Sequence, residues 1–200
     1  QMPLHPRLAH MLLVGCNIGA LETAALLAAL LSERNPLNHD GAEISRSLAV
    51  LTDEVACQSS HRLWYTRTRK QAKRYSNLVR ELYTSESTDD ITDSADIVAV
   101  LLANAYPERV AKLQSRSDCS QYQLANGRRA NLSSNDSLAG CEWLAVAEVG
   151  GRTGQAADRI YTATALNEKL FSHSLLLLVN DSDYVQWEDK LEKYVAERRR

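Results

Sequence analysis

The spacing of the apolar residues changes once along the chain, near Gln114, and that change limits the fold more than any single motif does. Before it, apolar side chains recur every three or four residues, the spacing of one helix face. After it, they fall into short alternating or continuous runs broken by Asn, Gly and Ser, the pattern of strands joined by turns. An α+β fold is therefore expected: a helical bundle over residues 1–113, then a small β-barrel over residues 114–200. With 200 residues the chain has room for one large or two small domains.

In the first half, Pro6 suits the opening turn of a helix in which Leu8, Met11 and Leu12 share a face, with Gly15 and Gly19 ending it. Leu21 to Leu31 is apolar nearly all round, which predicts a helix buried on most sides, stopped by Asn35-Pro36. A shorter helix is expected over residues 42–51, and another from Ile91 to Ala105 after a polar break at residues 89–93. Tyr106-Pro107 opens a last turn reaching Leu113.

Between these lies a long helix from a cap at Ser59 or Ser60 to about Tyr83. At about 100° per residue, Trp64, Tyr75, Leu78 and Leu82 share one side. Arg62, Arg69, Lys73 and Arg80 form a narrow stripe opposite, and Lys70, Arg74 and Arg67 trail round one flank. Residues 57–80 hold seven Lys or Arg and no acid, and residues 81–96 hold six acids and no Lys or Arg. Solvated helix faces usually mix signs to gain pairs one turn apart, and this one offers none. A cationic row of this kind can follow a nucleic-acid backbone without reading its sequence. A simply solvated face is the competing account.

In the second half, Tyr122-Gln123-Leu124, Asn126-Gly127 and the return from Arg128 to Leu132 predict a hairpin. Arg128 and Arg129 stand at its tip as candidate single-strand contacts, or as an exposed charge pair. Strands are expected over residues 143–149, 158–166, 175–179, 184–187 and 191–195, with one helical turn at 167–171. Five or six short strands in this length suit an oligonucleotide-binding (OB) barrel. Gly150-Gly151-Arg152-Thr153-Gly154 opens no helix and reads as a plain turn, not a phosphate loop. Trp143 and Trp64 read as packing residues, and His5 and His10 as partners of local backbone or solvent.

No catalytic signature is present. The sequence has no G-x-x-x-x-G-K-[ST] loop, no H-E-x-x-H, no G-x-S-x-G and no C-x-x-C. Cys16, Cys57, Cys119 and Cys141 are expected to be buried free thiols in a reducing, cytoplasmic compartment. No apolar run approaches the length of a membrane span. The start, Gln1-Met2-Pro3-Leu4, has no signal-peptide pattern and leads directly into helical spacing. It is expected to be a cut end with protein missing upstream, as is the terminal Glu197-Arg198-Arg199-Arg200.

Several segments resemble one family. Residues 2–13, from Met2-Pro3-Leu4-His5-Pro6-Arg7 through Leu13, resemble the P-L-x-P-R-L-A-x-M-L-L segment of DEAH/DExH-box helicases. Residues 24–37 are similar to the A-A-L-L-S-E-R-x-P-L continuation of the HrpB branch of that family. Residues 101–111 are similar to its L-A-x-A-Y-P-x-R-I/V-A motif. Tyr122 to Arg128 and Glu142 to Glu148 resemble its Y-x-L-x-N-G-R and W-L-V-V-A-E segments. Arg129 stands where that branch usually has Gly, and not every cation of the long helix matches. The resemblance implies a helical ratchet-like domain and an OB-like barrel from an ATP-dependent RNA helicase. It further implies that two RecA-like motor domains upstream bind ATP and magnesium, and that a further C-terminal domain follows. This stretch would then be non-catalytic, with no cofactor of its own. It would guide single-stranded RNA or DNA past Arg62, Arg67, Arg69, Lys70, Lys73, Arg74, Arg128 and Arg129. A docking platform for a protein partner, such as a helicase activator, is the alternative, and a self-standing single-strand binder a third.

Overall fold

The computed structural model describes residues 4–37, 41–83, 93–115, 120–151 and 157–179, and the backbone alone of 182–188 and 193–199. The expected polar break at residues 89–92, Cys119 and the turn at residues 152–156 lie outside the described residues. The chain is mixed helix and strand, a helical part followed by a small closed barrel.

Helix α1 spans Pro6–Asn17, with Pro6 in its first turn and the His5 imidazole accepting from the Arg7 N–H at 3.3 Å. It ends in a Schellman arrangement: Gly19, at φ 71°, lets its own N–H reach Cys16 O and that of Ala20 reach Gly15 O. Gly15, expected to help end the helix, lies inside it. A Cβ there would stand 2.4 Å from the Ala24 Cβ of α2 (Leu21–Leu31), so its glycine is what lets α1 and α2 touch. Helix α2 is buried on most of its circumference, as its composition predicts. Helix α3 is Ser45–Leu51 and α5 is Ser94–Ala105, three residues later than expected because the Asp93 carboxylate caps it by accepting from the Ala95 N–H.

Helix α4, Arg62–Leu82, begins differently from expectation. Neither Ser59 nor Ser60 caps it; both sit in a 3₁₀ turn, Ser59–His61, that leads into the helix. Its buried ridge also differs. Trp64 and Tyr75 are buried, but Leu82 is 63% exposed. The ridge is completed by Thr68, Ala72, Ser76 and Val79. These small residues let α4 lie close against α2, its main neighbour, and burying Trp64 and Tyr75 adds about 1.5–3 kcal/mol each.

The first barrel strand, β1 (Val110–Leu113), starts before the expected change of spacing, directly after a 3₁₀ turn at Pro107–Arg109. Strands β2 (Gln121–Leu124) and β3 (Arg129–Asn131) form the predicted hairpin, with Gly127 at φ 83°. Strands β4 (Trp143–Gly150) and β5 (Asp158–Ala165) follow. The barrel closes in the order β1-β2-β3-β5-β4, with β3 and β5 parallel and every other pair antiparallel. This closure fits the OB arrangement.

Two expectations fail beyond β5. Residues 175–179 are not a strand. Leu175 is fully buried, but Leu176–Leu178 is a 3₁₀ turn in which Leu177 is 97% exposed. A short apolar run does not by itself distinguish a strand from a helical turn. Strands β6 (Ser182–Glu188) and β7 (Lys193–Arg199) pair only with each other and do not join the barrel. Pairing of β1 with β4 has already closed the barrel and left no edge for another strand.

No linker separates helices from barrel. One apolar cluster fills the barrel around Tyr122, Leu124, Leu144 and Ile160. A larger one runs through helices α1 to α5 and on to Ala145, Ala147 and Leu166 beside the outer surface of β4. The chain also crosses back at Ala42 and Ile44, whose backbones bond to Ala163 of β5.

Candidate nucleic-acid interface

The cations of α4 divide into two sets according to the acids around them. Helices α2 and α4 run antiparallel, so Glu22 at the start of α2 meets Arg80 at 2.5 Å, and Glu33 just past its end meets Arg67 at 2.7 Å. Arg69 is held by the Asp53 carboxylate and the Tyr65 hydroxyl, with its guanidinium 5.2 Å from the Tyr65 ring centre. Asp53 follows α3 at φ 66°, a left-handed conformation uncommon outside Gly and adopted mainly by Asn and Asp among the other residues. The Tyr65 hydroxyl first, and then Arg69, holds the Asp53 carboxyl below its ordinary range. The Glu33 carboxylate in turn raises the Arg67 guanidinium.

Among the described residues, Arg62, Lys70, Lys73 and Arg74 have no acidic partner within 4.0 Å, and all four are exposed. On the helix wheel, Lys70, Lys73 and Arg74 lie opposite the buried ridge of Trp64, Thr68, Ala72, Tyr75 and Val79. They border an open depression along α4 with Arg67 and Asn77. The paired cations sit nearer the seams with α2 and α3. The structure thus keeps the predicted positive face but narrows it to its outermost residues.

The hairpin arginines stand apart from this helix, which packs on α1, α2 and α3. Arg128 is tied to Asp158 of β5 at 2.8 Å. Asp158 is buried, and Gly151 leaves room for it, since a Cβ there would lie 2.6 Å from its carboxylate. Arg128 is therefore a brace across the β3–β5 junction. Arg129 is exposed on the outer side of β3, opposite Gln123, beside the row Gln121, Gln123 and Asn131. This outer β2–β3 face is the one on which OB barrels commonly take ligands. It carries polar side chains and no exposed ring.

Sequence reasoning missed a cleft where α1, the end of α2, β4 and β5 meet. It has a volume of about 960 Å³ and holds Arg7, Arg34, Arg109, Arg159, Tyr106 and Tyr161. Tyr106 is clasped by Arg109 and Arg7, at 4.6 and 5.5 Å from its ring centre, and burial raises its hydroxyl above the ordinary tyrosine range. Arg7 also meets Glu108 at 2.6 Å. The signal that was available is the alternation Arg159-x-Tyr161 on a strand, which puts both side chains on its outer side.

Among the described residues, no group of three His, Cys, Asp or Glu could hold a metal, and no helix is long and apolar enough to cross a membrane. Cys16, Cys57 and Cys141 are free but half-buried rather than fully buried, and burial raises the Cys141 thiol.

Comparison with known proteins identifies the family. Residues 5–137 match the family described as "Helicase associated domain (HA2), ratchet-like". The chain belongs to the HA2 family. The matched HA2 stretch contains helices α1 to α5 and strands β1 to β3, so the whole of α4 lies within it, whereas Arg159 and Tyr161 lie beyond it. The chain is also similar to the ATP-dependent RNA helicase HrpB of Escherichia coli (strain K12), with 30% identity over 92% of this chain and 20% of that protein. Among solved structures, it is similar to a crystal structure of the E. coli DExH-box NTPase HrpB (TM-score 0.72, 28% identity, 98% of this chain and 21% of that one). A second crystal structure, of the E. coli DEAH/RHA helicase HrpB, gives a TM-score of 0.68 at 26% identity, again over 98% of this chain and 21% of that one. The chain thus spans about a fifth of the length of these relatives. The resemblance to the HrpB branch seen in the sequence motifs is borne out.

Proposed function

We propose that this chain is a non-catalytic accessory region of an ATP-dependent RNA helicase that steadies single-stranded RNA or DNA while motor domains elsewhere in the same protein hydrolyse ATP with magnesium. A cytoplasmic setting follows from that reading. The observation that carries it is the row of unpaired cations opposite the buried ridge of α4. Lys70 and Arg74 lie about 6 Å apart along the axis, and Lys73 lies between them. A backbone laid along this face meets several positive charges without any base being read. Arg129 extends the same chemistry to the barrel. Arg67, Arg69 and Arg128 first hold the fold and only secondarily line the path.

The test is fluorescence anisotropy with a labelled single-stranded oligonucleotide. Binding should weaken steeply with salt, and Lys70→Glu with Lys73→Glu should remove most of it. Salt-insensitive binding, or binding unchanged by the two reversals, rejects the reading. A second reading, a docking platform for a protein partner, is favoured by one observation: Leu176 and Leu177 stand 59% and 97% exposed just after the barrel. Substituting both with Ser should leave oligonucleotide binding unchanged if the first reading is correct.

A further inference from the structure

We infer that the cleft between the helices and the outer side of β4–β5 is a separate subsite that takes one unpaired base, stacked on Tyr161, with the adjoining phosphates on Arg159 and Arg34. This rests on the reading of the chain as a single-strand guide and adds the place where a base, as opposed to the backbone, is held.

Four observations support it. The first is a ring in the right setting. Tyr161 is 43% exposed, points outward from β5 and lines the cleft, whereas Tyr75 in the same cleft is buried and Tyr106 is clasped between two arginines. Gly150 of β4, paired with Arg159, lies diagonally beside the ring, and a Cβ there would stand 3.4 Å from the ring edge. The β4–β5 register also slips between Val146 and Val149 beside this ring, and bulges of this kind re-aim a side chain.

The second is charge that is not spent. Arg159 lies 5.6 Å from the Tyr161 ring centre and, like Arg34, has no acidic partner among the described residues. Of the two acids in the cleft, Glu33 is ion-paired with Arg67, whereas Glu148 accepts from the Thr162 hydroxyl at 3.2 Å and keeps its charge; the four arginines Arg7, Arg34, Arg109 and Arg159 outnumber them. A guanidinium beside an exposed ring is the pairing that holds a base by its face and a phosphate by its charge.

The third is continuity with α4. Arg67 borders both the depression along α4 and a smaller one at Pro36, His61 and Trp64. Arg34 borders that smaller depression and the cleft. A strand leaving the unpaired cations of α4 therefore passes from one guanidinium to the next and arrives at Tyr161.

The fourth is contrast. The β2–β3 face, where an OB barrel commonly receives its ligand, has only Gln121, Gln123, Arg129 and Asn131 outward and nothing to stack on. The stacking surface of this barrel is on β5 instead. The cleft is walled by charged and hydroxyl groups as much as by apolar ones, which suits a nucleotide and not a lipid surface. Its volume is in the range that accepts a ligand of a few rings.

The experiment uses the full 200-residue chain, a fluorescein-labelled oligouridylate, and an abasic ribose-phosphate chain of the same length. Tyr161→Leu should weaken oligouridylate binding by roughly tenfold, the loss of one base–aromatic stack. It should leave the salt dependence unchanged, and Tyr161→Phe should bind as the unaltered chain does. The unaltered chain should bind the abasic chain about as weakly as the Leu variant binds oligouridylate. Arg159→Gln should reduce the salt dependence by about one contact. If Tyr161→Leu binds normally while Lys70→Glu with Lys73→Glu abolishes binding, the inference fails and the proposed function stands. If the unaltered chain does not bind oligouridylate at all, both fail. If poly-glutamate binds in a Tyr161-dependent way and oligouridylate does not, the cleft is a site for acidic peptide and the inference is overturned. A photo-crosslink from 5-iodouridine needs no variant: attachment at Tyr161 supports the subsite, and attachment confined to α4 overturns it.

Discussion

The division of the α4 cations into paired and unpaired sets makes opposite predictions for residues that look alike in sequence. For a single strand, each neutralised phosphate contributes about 0.7 to the slope of log affinity against log salt. Lys73→Gln should therefore lower the slope by about 0.7, and Lys70→Gln with Lys73→Gln by about 1.4. Raising salt from about 50 to about 200 mM weakens binding about 2.6-fold per contact, so the double variant should escape about sevenfold of the loss seen by the unaltered chain. Arg69→Gln should behave differently. Its guanidinium is bound to Asp53 and Tyr65, so little of its charge is available to a phosphate. Its slope should fall by less than half as much, and the chain should melt earlier because the strap from the end of α3 to α4 is cut. Asp53→Asn should move the slope the other way. Asn tolerates the left-handed backbone at φ 66° and frees Arg69, adding up to one contact. Anisotropy titrations at four salt concentrations decide the matter. Equal slopes for Lys73→Gln and Arg69→Gln, or no gain for Asp53→Asn, would show that the ion pairs do not withhold these charges and would refute the reasoning.

Three further outcomes follow from the packing. Thr68 is fully buried on the α4 ridge and its hydroxyl has no partner, so Thr68→Val should stabilise the fold by about 1 kcal/mol, read as a higher melting temperature. Gly15→Ala places a methyl 2.4 Å from that of Ala24, so α1 and α2 must separate, at a cost of about 1–3 kcal/mol by denaturant titration. The Asp53 carboxyl is held below its ordinary value, so the strap contributes at pH values above the unfolded carboxyl range and is lost as pH falls through the lowered folded value; amide protection factors at residues 53–58, corrected for the intrinsic pH dependence of exchange, should fall on that acid side, and Asp53→Asn should remove this fall.

Much of this architecture was legible in the sequence because it rests on local signals. Pro6, the Asn126-Gly127 turn and the apolar circumference of α2 each act within a few residues of themselves, and each gave its element. The unread parts depend on distance along the chain. The acids that hold Arg69, Arg67 and Arg80 are 16, 34 and 58 residues away, so no window along α4 could separate spent charge from free charge. Arg128 looked like a free tip for the same reason, since Asp158 lies 30 residues on. The ridge of α4 was misplaced because apolarity was taken as the guide, whereas close approach to α2 favours Thr68, Ala72 and Ser76 over Leu82. The strands after β5 were assigned to the barrel because the pattern of a strand does not say which sheet it joins.

The net charge of −2 and the positive face of α4 are consistent because residues 57–80 hold seven Lys or Arg and no acid, while the 25 Asp and Glu lie elsewhere along the chain. Glu22, Glu33 and Asp53 fasten α4 to its neighbours through Arg80, Arg67 and Arg69 and leave Lys70, Lys73 and Arg74 unpaired among the described residues; Glu81 borders the same depression without an ion pair to any of them. The same contacts fix the helix in rotation: a turn of about 100°, one residue step, would bury Lys70 or Lys73 and expose the Trp64 ridge. At physiological salt a charge is felt over about 8 Å. The four free cations therefore act on a strand already lying along the helix and have little reach towards one at a distance. Such a surface favours holding over capture. Its contribution should appear chiefly as slower dissociation, with the association rate of Lys70→Gln plus Lys73→Gln close to that of the unaltered chain in stopped-flow measurements at about 0.15 M salt. A variant that instead slowed association and left dissociation untouched would show that the face works by long-range steering, and the assignment of Lys70, Lys73 and Arg74 as contacts would have to be given up.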